Sequence, residues 1–194
     1  MIKPSSAAAP LPRLCCYQSP LGEILLAADR EALVGLWFAG QRHQPSWLAA
    51  AAVGPLPTSI TVSTDAVLRR TVLWLDTYFS GHEPRFVPPL APVGTPFRLD
   101  VWRLLLQIPY GQTVTYGHLA TQLARTKGVP TISPQAIGSA VGRNPISLII
   151  PCHRVIGANG NLTGYAGGLE RKEQLLHMEH SNSAALSTSL RGDK

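Results

Sequence analysis

Proline placement constrains this chain more than any other feature. Five prolines fall within residues 84–96: Pro84, Pro88, Pro89, Pro92 and Pro96. Each fixes its own φ and removes a backbone donor, so the stretch supports neither a continuous helix nor a central strand. It reads as a linker or an edge segment that divides the 194 residues in two. A chain of this length has room for a substantial core, split across one or two small domains. The division predicts an α/β N-terminal domain over 15–90, a linker over 91–96 and a helical domain over 97–180. Flexible tails are expected at 1–14 and 181–194.

On the N-terminal side, apolar runs over 24–28 and 32–38 flank the polar Asp29, Arg30 and Glu31. Short apolar runs around a polar turn read as hairpin strands. Residues 40–58, rich in Ala, Pro and Gly, look like a loose excursion. Over 65–80 the period changes. Val67, Leu68, Val72, Leu75 and Phe79 recur at helical spacing, and Gly81 is a stop signal. Residues 1–12 lack the continuous apolar core of a secretion signal, and no apolar run is long enough for a bilayer. A cytoplasmic protein with no membrane partner is expected.

On the C-terminal side, Thr95 and Pro96 open a helix carrying Phe97, Val101, Leu104, Leu105 and Ile108. A shorter helix follows over about 115–125. A third begins at the N-cap Ser133 with Pro134 in its first turn, and stops near Asn144-Pro145. Two short helices joined by a loop form a helix-turn-helix candidate, although the loop is longer than usual. Ile137, Ala140 and Val141 suit the buried stripe of the third helix, while Gln135, Ala136, Gly138, Ser139 and Gly142 leave its other face nearly bare. A bare face permits close approach of another backbone, either a neighbouring helix or DNA. Arg143 stands where it could meet a phosphate. The net charge of +6 and pI of about 9.6 favour a polyanionic partner.

The chemistry concentrates at Pro151-Cys152-His153-Arg154-Val155, delivered by the apolar run 146–150. A cysteine ending a buried segment is ordinarily inert packing. Here His153 and Arg154 follow it, and nearby positive charge favours the thiolate, the form that attacks carbon. Downstream, Gly157, Gly160, Gly164, Gly167 and Gly168 surround Tyr165, a pattern for a loop that can close over a ligand. A last helix over about 169–180 sets Lys172, Leu175, Leu176 and Glu179 on one face. A glutamate on an apolar face must be paired or functional; here it could orient His153. Cys15, Cys16 and Cys152 are too few for a disulfide framework, no zinc spacing is present, and His177 and His180 read as a solvated pair.

These segments together resemble one family, the O6-alkylguanine-DNA alkyltransferases. The resemblance is carried by residues 151–155, by Gly142-Arg143-Asn144-Pro145-Ile146, by Gly164-Tyr165-Ala166-Gly167-Gly168-Leu169, by 111–117, and by Ser19-Pro20-Leu21-Gly22. It spans roughly 15–180. It implies an α+β fold: a ribonuclease-H-like mixed N-terminal domain, then a helical C-terminal domain with a helix-turn-helix. It implies irreversible transfer of an alkyl group from O6-alkylguanine in double-stranded DNA (O4-alkylthymine being a further candidate) to the protein's own Cys152. No cofactor or metal would be needed, and the chain would be monomeric in solution, with clustering on DNA left open.

By the same resemblance Cys152 is the acceptor, His153 a base acting through a water, and Glu179 its support. Asn144 orders the turn before the cysteine, and Tyr116 bonds the guanine ring and helps protonate it as it leaves. Pro151, Val155, Tyr165, Ala166 and Gly167 belong to the pocket. Gln135, Ala136, Gly138, Ser139 and Arg143 face DNA in the minor groove. The chain departs at Gln135, where the family usually has an arginine that fills the space of the flipped base. The competing readings are a non-catalytic lesion binder or helix-turn-helix regulator, and a cysteine hydrolase. A hydrolase would draw its histidine from a distant segment, whereas His153 adjoins Cys152.

Overall fold

The computed structural model describes residues 12–51 and 65–189, with the side chains of 49–51 and 183–189 left aside. Most of the expected N-terminal tail, part of the 40–58 excursion and the last five residues lie outside the described residues. The fold is α+β, a small sheet followed by helices.

Strands β1 (Arg13–Ser19), β2 (Gly22–Ala28) and β3 (Leu33–Phe38) form an antiparallel meander in that order. β1 begins inside the stretch expected to be a flexible tail. Arg13 pairs with Ala28 across the ladder, and its guanidinium reaches Asp65. Gly22 closes the first hairpin at φ 104, a conformation that favours glycine. Among the described residues of the expected excursion, 46–51 form helix α1 (Ser46–Ala51). Helix α2 (Ala66–Phe79) starts where Asp65 accepts from the Val67 and Leu68 amides, and lays Leu68, Trp74, Leu75 and Tyr78 into the core.

The proline-rich stretch is an edge segment. Leu33 N–H donates to Pro89 O (2.8 Å), and Ala91 N–H donates to Leu33 O (2.9 Å). Farther along the same edge of β3, Leu36 N–H donates to Pro145 O and Ser147 N–H to Leu36 O, both at 2.9 Å. One strand therefore holds both the segment that leaves the N-terminal half and the segment that leads to Cys152. The larger apolar cluster runs through both halves, and a smaller one around Ala27, Trp37 and Leu48 lies in the N-terminal half.

Helices α3 (Pro96–Leu105), α4 (Tyr116–Lys127) and α5 (Pro134–Gly142) pack together, with Trp102 Nε1 donating to Ala140 O at 2.9 Å. Each has a hydroxyl N-cap, Thr95, Thr115 and Ser133 respectively. Short parallel strands β4 (Val114–Thr115) and β5 (Val155–Ile156) bracket the active segment. Helix α6 (Leu169–Ser189) continues past the expected stop at 180. No helix among the described residues is long and apolar enough to cross a membrane.

Candidate active site and nucleic-acid interface

Cys152 opens a 3-10 turn, Cys152–Arg154, placed between the β3 edge and β5. The approach is tightly folded. Leu148, fully buried, sits at φ 66, and Ile149 N–H donates back to Ser147 O at 2.8 Å. That left-handed conformation is disfavoured for a leucine and survives because its surroundings fix it. Asn144 is the brace. Its Nδ2 donates to Ile150 O (2.7 Å), Ile146 O (3.2 Å) and the Cys152 sulfur (3.2 Å), while its Oδ1 accepts from Ile146 N–H (3.0 Å).

Burial pushes the Cys152 thiol above its ordinary pKa, against the Asn144 hydrogen bond and the charge of Lys172, which lower it. The resting sulfur is therefore a thiol that needs a base. The sequence reading looked to His153 and Arg154 for thiolate-favouring charge; the structure puts that charge elsewhere. Burial lowers the pKa of His153, so the ring is neutral near pH 7. Arg154 donates from Nε to Glu179 Oε2 (2.8 Å) and from Nη2 to Glu179 Oε1 (3.0 Å), so its charge is neutralised by that carboxylate. The cation acting on the sulfur is Lys172, which donates to Val155 O (2.5 Å) and Thr163 O (2.8 Å) and whose pKa burial lowers to about 8.

Glu179 is completely buried and takes five hydrogen bonds. Besides the two from Arg154, it accepts from His153 Nε2 (2.8 Å), Tyr78 OH (2.7 Å) and Gly111 N–H (3.1 Å). Burial opposes the charge, yet the hydrogen bonds from His153 and Arg154 hold its pKa well below the usual carboxylate range. An ionised carboxylate only accepts, so Nε2 of the neutral imidazole carries the proton and Nδ1 keeps a lone pair. Nδ1 is buried and has no hydrogen-bond partner among the described residues.

A cleft of about 430 Å³ lies beside this centre. Gln135, Gly138, Ser139 and Arg143 of the expected DNA-facing set line it, together with Tyr116 and Ala166. Ala136 is exposed on α5 but does not line it. Pro151, Val155, Tyr165 and Gly167 are buried and do not line the open cleft. A side-chain carbon on Gly167 would meet the Tyr165 ring at 2.7 Å, so only glycine fits against that ring. On α5, a Cβ at Gly142 would meet nothing within 4 Å, and one at Gly138 would make ordinary contact with Tyr116 at 3.7 Å. Packing among the described residues therefore does not require glycine at either position. Tyr116 OH donates to Thr163 O (3.1 Å) and Gly164 O (3.3 Å), tying α4 to the glycine loop. Arg143 donates to Ser139 Oγ at 2.7 Å, and Ser133 Oγ donates to Gln135 Oε1 at 2.6 Å.

Sequence reasoning did not single out Tyr78 or the part played by Lys172, nor Arg42 and His43, which line the cleft from the N-terminal half. Lys172 had the same signal as Glu179, a charge on an apolar helical face. Among the described residues no three metal-ligating side chains come together.

Two family descriptions match the chain. "6-O-methylguanine DNA methyltransferase, ribonuclease-like domain" covers residues 14–92, and "6-O-methylguanine DNA methyltransferase, DNA binding domain" covers 96–181. The chain is 41% identical to the methylated-DNA–protein-cysteine methyltransferase of Methanosarcina acetivorans, over 85% of this chain and 96% of that one. It is 42% identical to the protein of that name from Mycobacterium leprae, over 83% and 88%. The crystal structure of Mycobacterium tuberculosis O6-methylguanine methyltransferase superposes with a TM-score of 0.70 at 37% identity, covering 88% of this chain and 93% of that chain. A structure of the Mycobacterium tuberculosis protein in complex with DNA matches with the same TM-score at 36% identity, over 87% and 93%. With both halves matched in order and relatives aligned over nearly their whole length, the chain belongs to the methylated-DNA–protein-cysteine methyltransferase family.

Proposed function

We propose that the protein removes the alkyl group from O6-alkylguanine in double-stranded DNA and keeps it on Cys152, once per molecule. The observation that carries this is the pairing of a buried thiol with an adjacent neutral imidazole whose Nδ1 lone pair is unengaged. Sulfur attacks the alkyl carbon, the carbon–O6 bond breaks, and its electrons go to the guanine. The thiol proton leaves through a water to His153 Nδ1. The departing guanine takes a proton from Tyr116, and the imidazolium releases the thiol proton through water to the tyrosinate, so that one proton passes in net from sulfur to guanine. Glu179 supports the imidazolium that forms. The product thioether has no good leaving group, so the reaction stops after one turnover without a cofactor.

Cys152 is 4% exposed, and an O6-alkyl group lies inside the duplex, so the nucleotide must be extruded to meet it. The bare face of α5, with Ala136, Gly138 and Ser139, lets the DNA backbone come close, and Arg143 supplies a phosphate contact. Pro151, Val155, Tyr165, Ala166 and Gly167 frame the base. To test the reading, the protein is incubated with duplex DNA containing O6-methylguanine and weighed intact. The expected result is a gain of a single methyl group, located on the Cys152 peptide. Tight binding with no gain would make the protein a lesion binder, and turnover of an ester or amide would make it a hydrolase.

Gln135 is exposed in the first turn of α5 and uncharged, so it inserts as a weaker wedge than an arginine. Gln135→Arg is expected to tighten duplex binding about fivefold, roughly 1 kcal/mol, and to steepen the salt dependence by about one counterion. Titration at several salt concentrations reads both. Unchanged affinity and unchanged repair rate would refute the wedge role.

A further inference from the structure

We propose that Tyr78, from α2 in the N-terminal half, is a positioning residue for alkyl transfer: its hydroxyl shares the Glu179 carboxylate with His153 and so sets the proton affinity and tautomer of that imidazole. The inference rests on the reading of His153 as the base. The Tyr78 side chain is completely buried. Its ring stacks on Trp74 (centroids 5.1 Å apart, 11° between planes) and meets Phe79 and Tyr110 edge-on at 5.3 Å and 6.0 Å. Those three rings fix where the hydroxyl points. It donates to Glu179 Oε1 at 2.7 Å and lies 3.5 Å from His153 Nε2.

Burial and the charge of Glu179 keep the phenol protonated, so Tyr78 acts there as a donor. Oε1 consequently serves three donors, Tyr78, His153 and Arg154 Nη2, while Oε2 serves Arg154 Nε and Gly111 N–H. Each donor on Oε1 draws negative charge that would otherwise stabilise an imidazolium. Tyr78 thereby keeps His153 a neutral acceptor at rest, with its proton on Nε2 and its lone pair on Nδ1. The other ionisable groups acting on this pair are Arg154 on the same turn, Lys172 from α6 and Tyr110 from the turn after α3. Tyr78→Phe leaves all of these in place and preserves the ring contacts, so it removes only the hydroxyl.

The test measures single-turnover methyl transfer from an O6-methylguanine duplex between pH 5 and 8.5, for the native chain and for Tyr78→Phe, with duplex Kd measured alongside. The native rate is expected to fall on the acid side as His153 protonates. In Tyr78→Phe the midpoint of that fall moves to higher pH by about half to one unit, which lowers the rate below the midpoint about three- to tenfold. The Kd stays at the native value. An unchanged midpoint overturns the proposal and leaves the base role of His153 intact. A native profile with no acid-side fall removes the base role and this proposal with it. A second readout needs no variant: ¹⁵N shifts of the His153 ring in the full chain are expected to show protonated Nε2 and unprotonated Nδ1 at pH 7. The opposite tautomer would overturn the proposal even if Tyr78→Phe failed to fold.

Discussion

Cys152→Ala abolishes the methyl mass gain while duplex binding stays within about twofold of native. The loss is total because no other described thiol can substitute. Cys15 is buried within β1, where burial lifts its pKa to about 11, and Cys16 neighbours it on the same strand. Binding survives because the turn does not depend on the sulfur. Asn144 retains the Ile146 and Ile150 carbonyls as acceptors and the Ile146 amide as a donor. The void left by one sulfur is small, and truncations of this size cost about 1 kcal/mol. Intact-mass time courses paired with fluorescence anisotropy on the same duplex check both halves. A methyl gain in the alanine variant at the native rate would end the assignment of Cys152.

Glu179→Ala is expected to destabilise the protein by about 3–5 kcal/mol at pH 7, the usual cost of removing one partner from a buried ion pair. Arg154 is 8% exposed, and without Glu179 its charge would be left, among the described residues, with the Ile108 carbonyl at 2.7 Å and the face of the Tyr110 ring at 5.6 Å, neither of which neutralises it. The hydroxyl of Tyr78 and the amide of Gly111 lose their acceptor in the same step. The penalty should depend on pH. Glu179 has a folded-state pKa below its unfolded one, so its contribution is present above the unfolded glutamate value of about 4.3 and is lost as pH falls through the folded value. His153, lowered by burial, costs native and variant alike stability from about pH 6.5 downward, so any narrowing of the gap between them comes from Glu179. The gap between the urea midpoints of native and variant should therefore hold from pH 7 to about 4.3 and narrow as the solution is acidified further towards pH 3. A gap that stays constant would show that Glu179 is not ionised in the folded protein.

Local pattern carried much of this site. Cys152, Asn144 and Glu179 were legible because each breaks a rule of its own segment: a reactive group ending an apolar run, a polar residue at a helix stop, a carboxylate on a buried face. Tyr78 breaks no such rule. A tyrosine on an amphipathic stripe reads as core, and its partner lies 101 residues away. Arg154 was legible as a cation but not as one neutralised by Glu179, because adjacency to Cys152 along the chain says nothing about where the guanidinium folds. Element ends were the weakest part. α6 passes 180 because no Gly or Pro interrupts 181–189, although its Ser and Asn residues are poor helix formers. β1 starts at Arg13 because β2 offers a full ladder to pair with, which single-strand patterning does not reveal.

The far edge of β3 has a mechanical consequence. Its hydrogen bonds to Pro89, Ala91, Pro145 and Ser147 clamp the proline segment and the approach to Cys152 onto one strand. The two halves cannot swing about the prolines like jaws without tearing that edge. Access to Cys152 is therefore not opened by a hinge at the prolines.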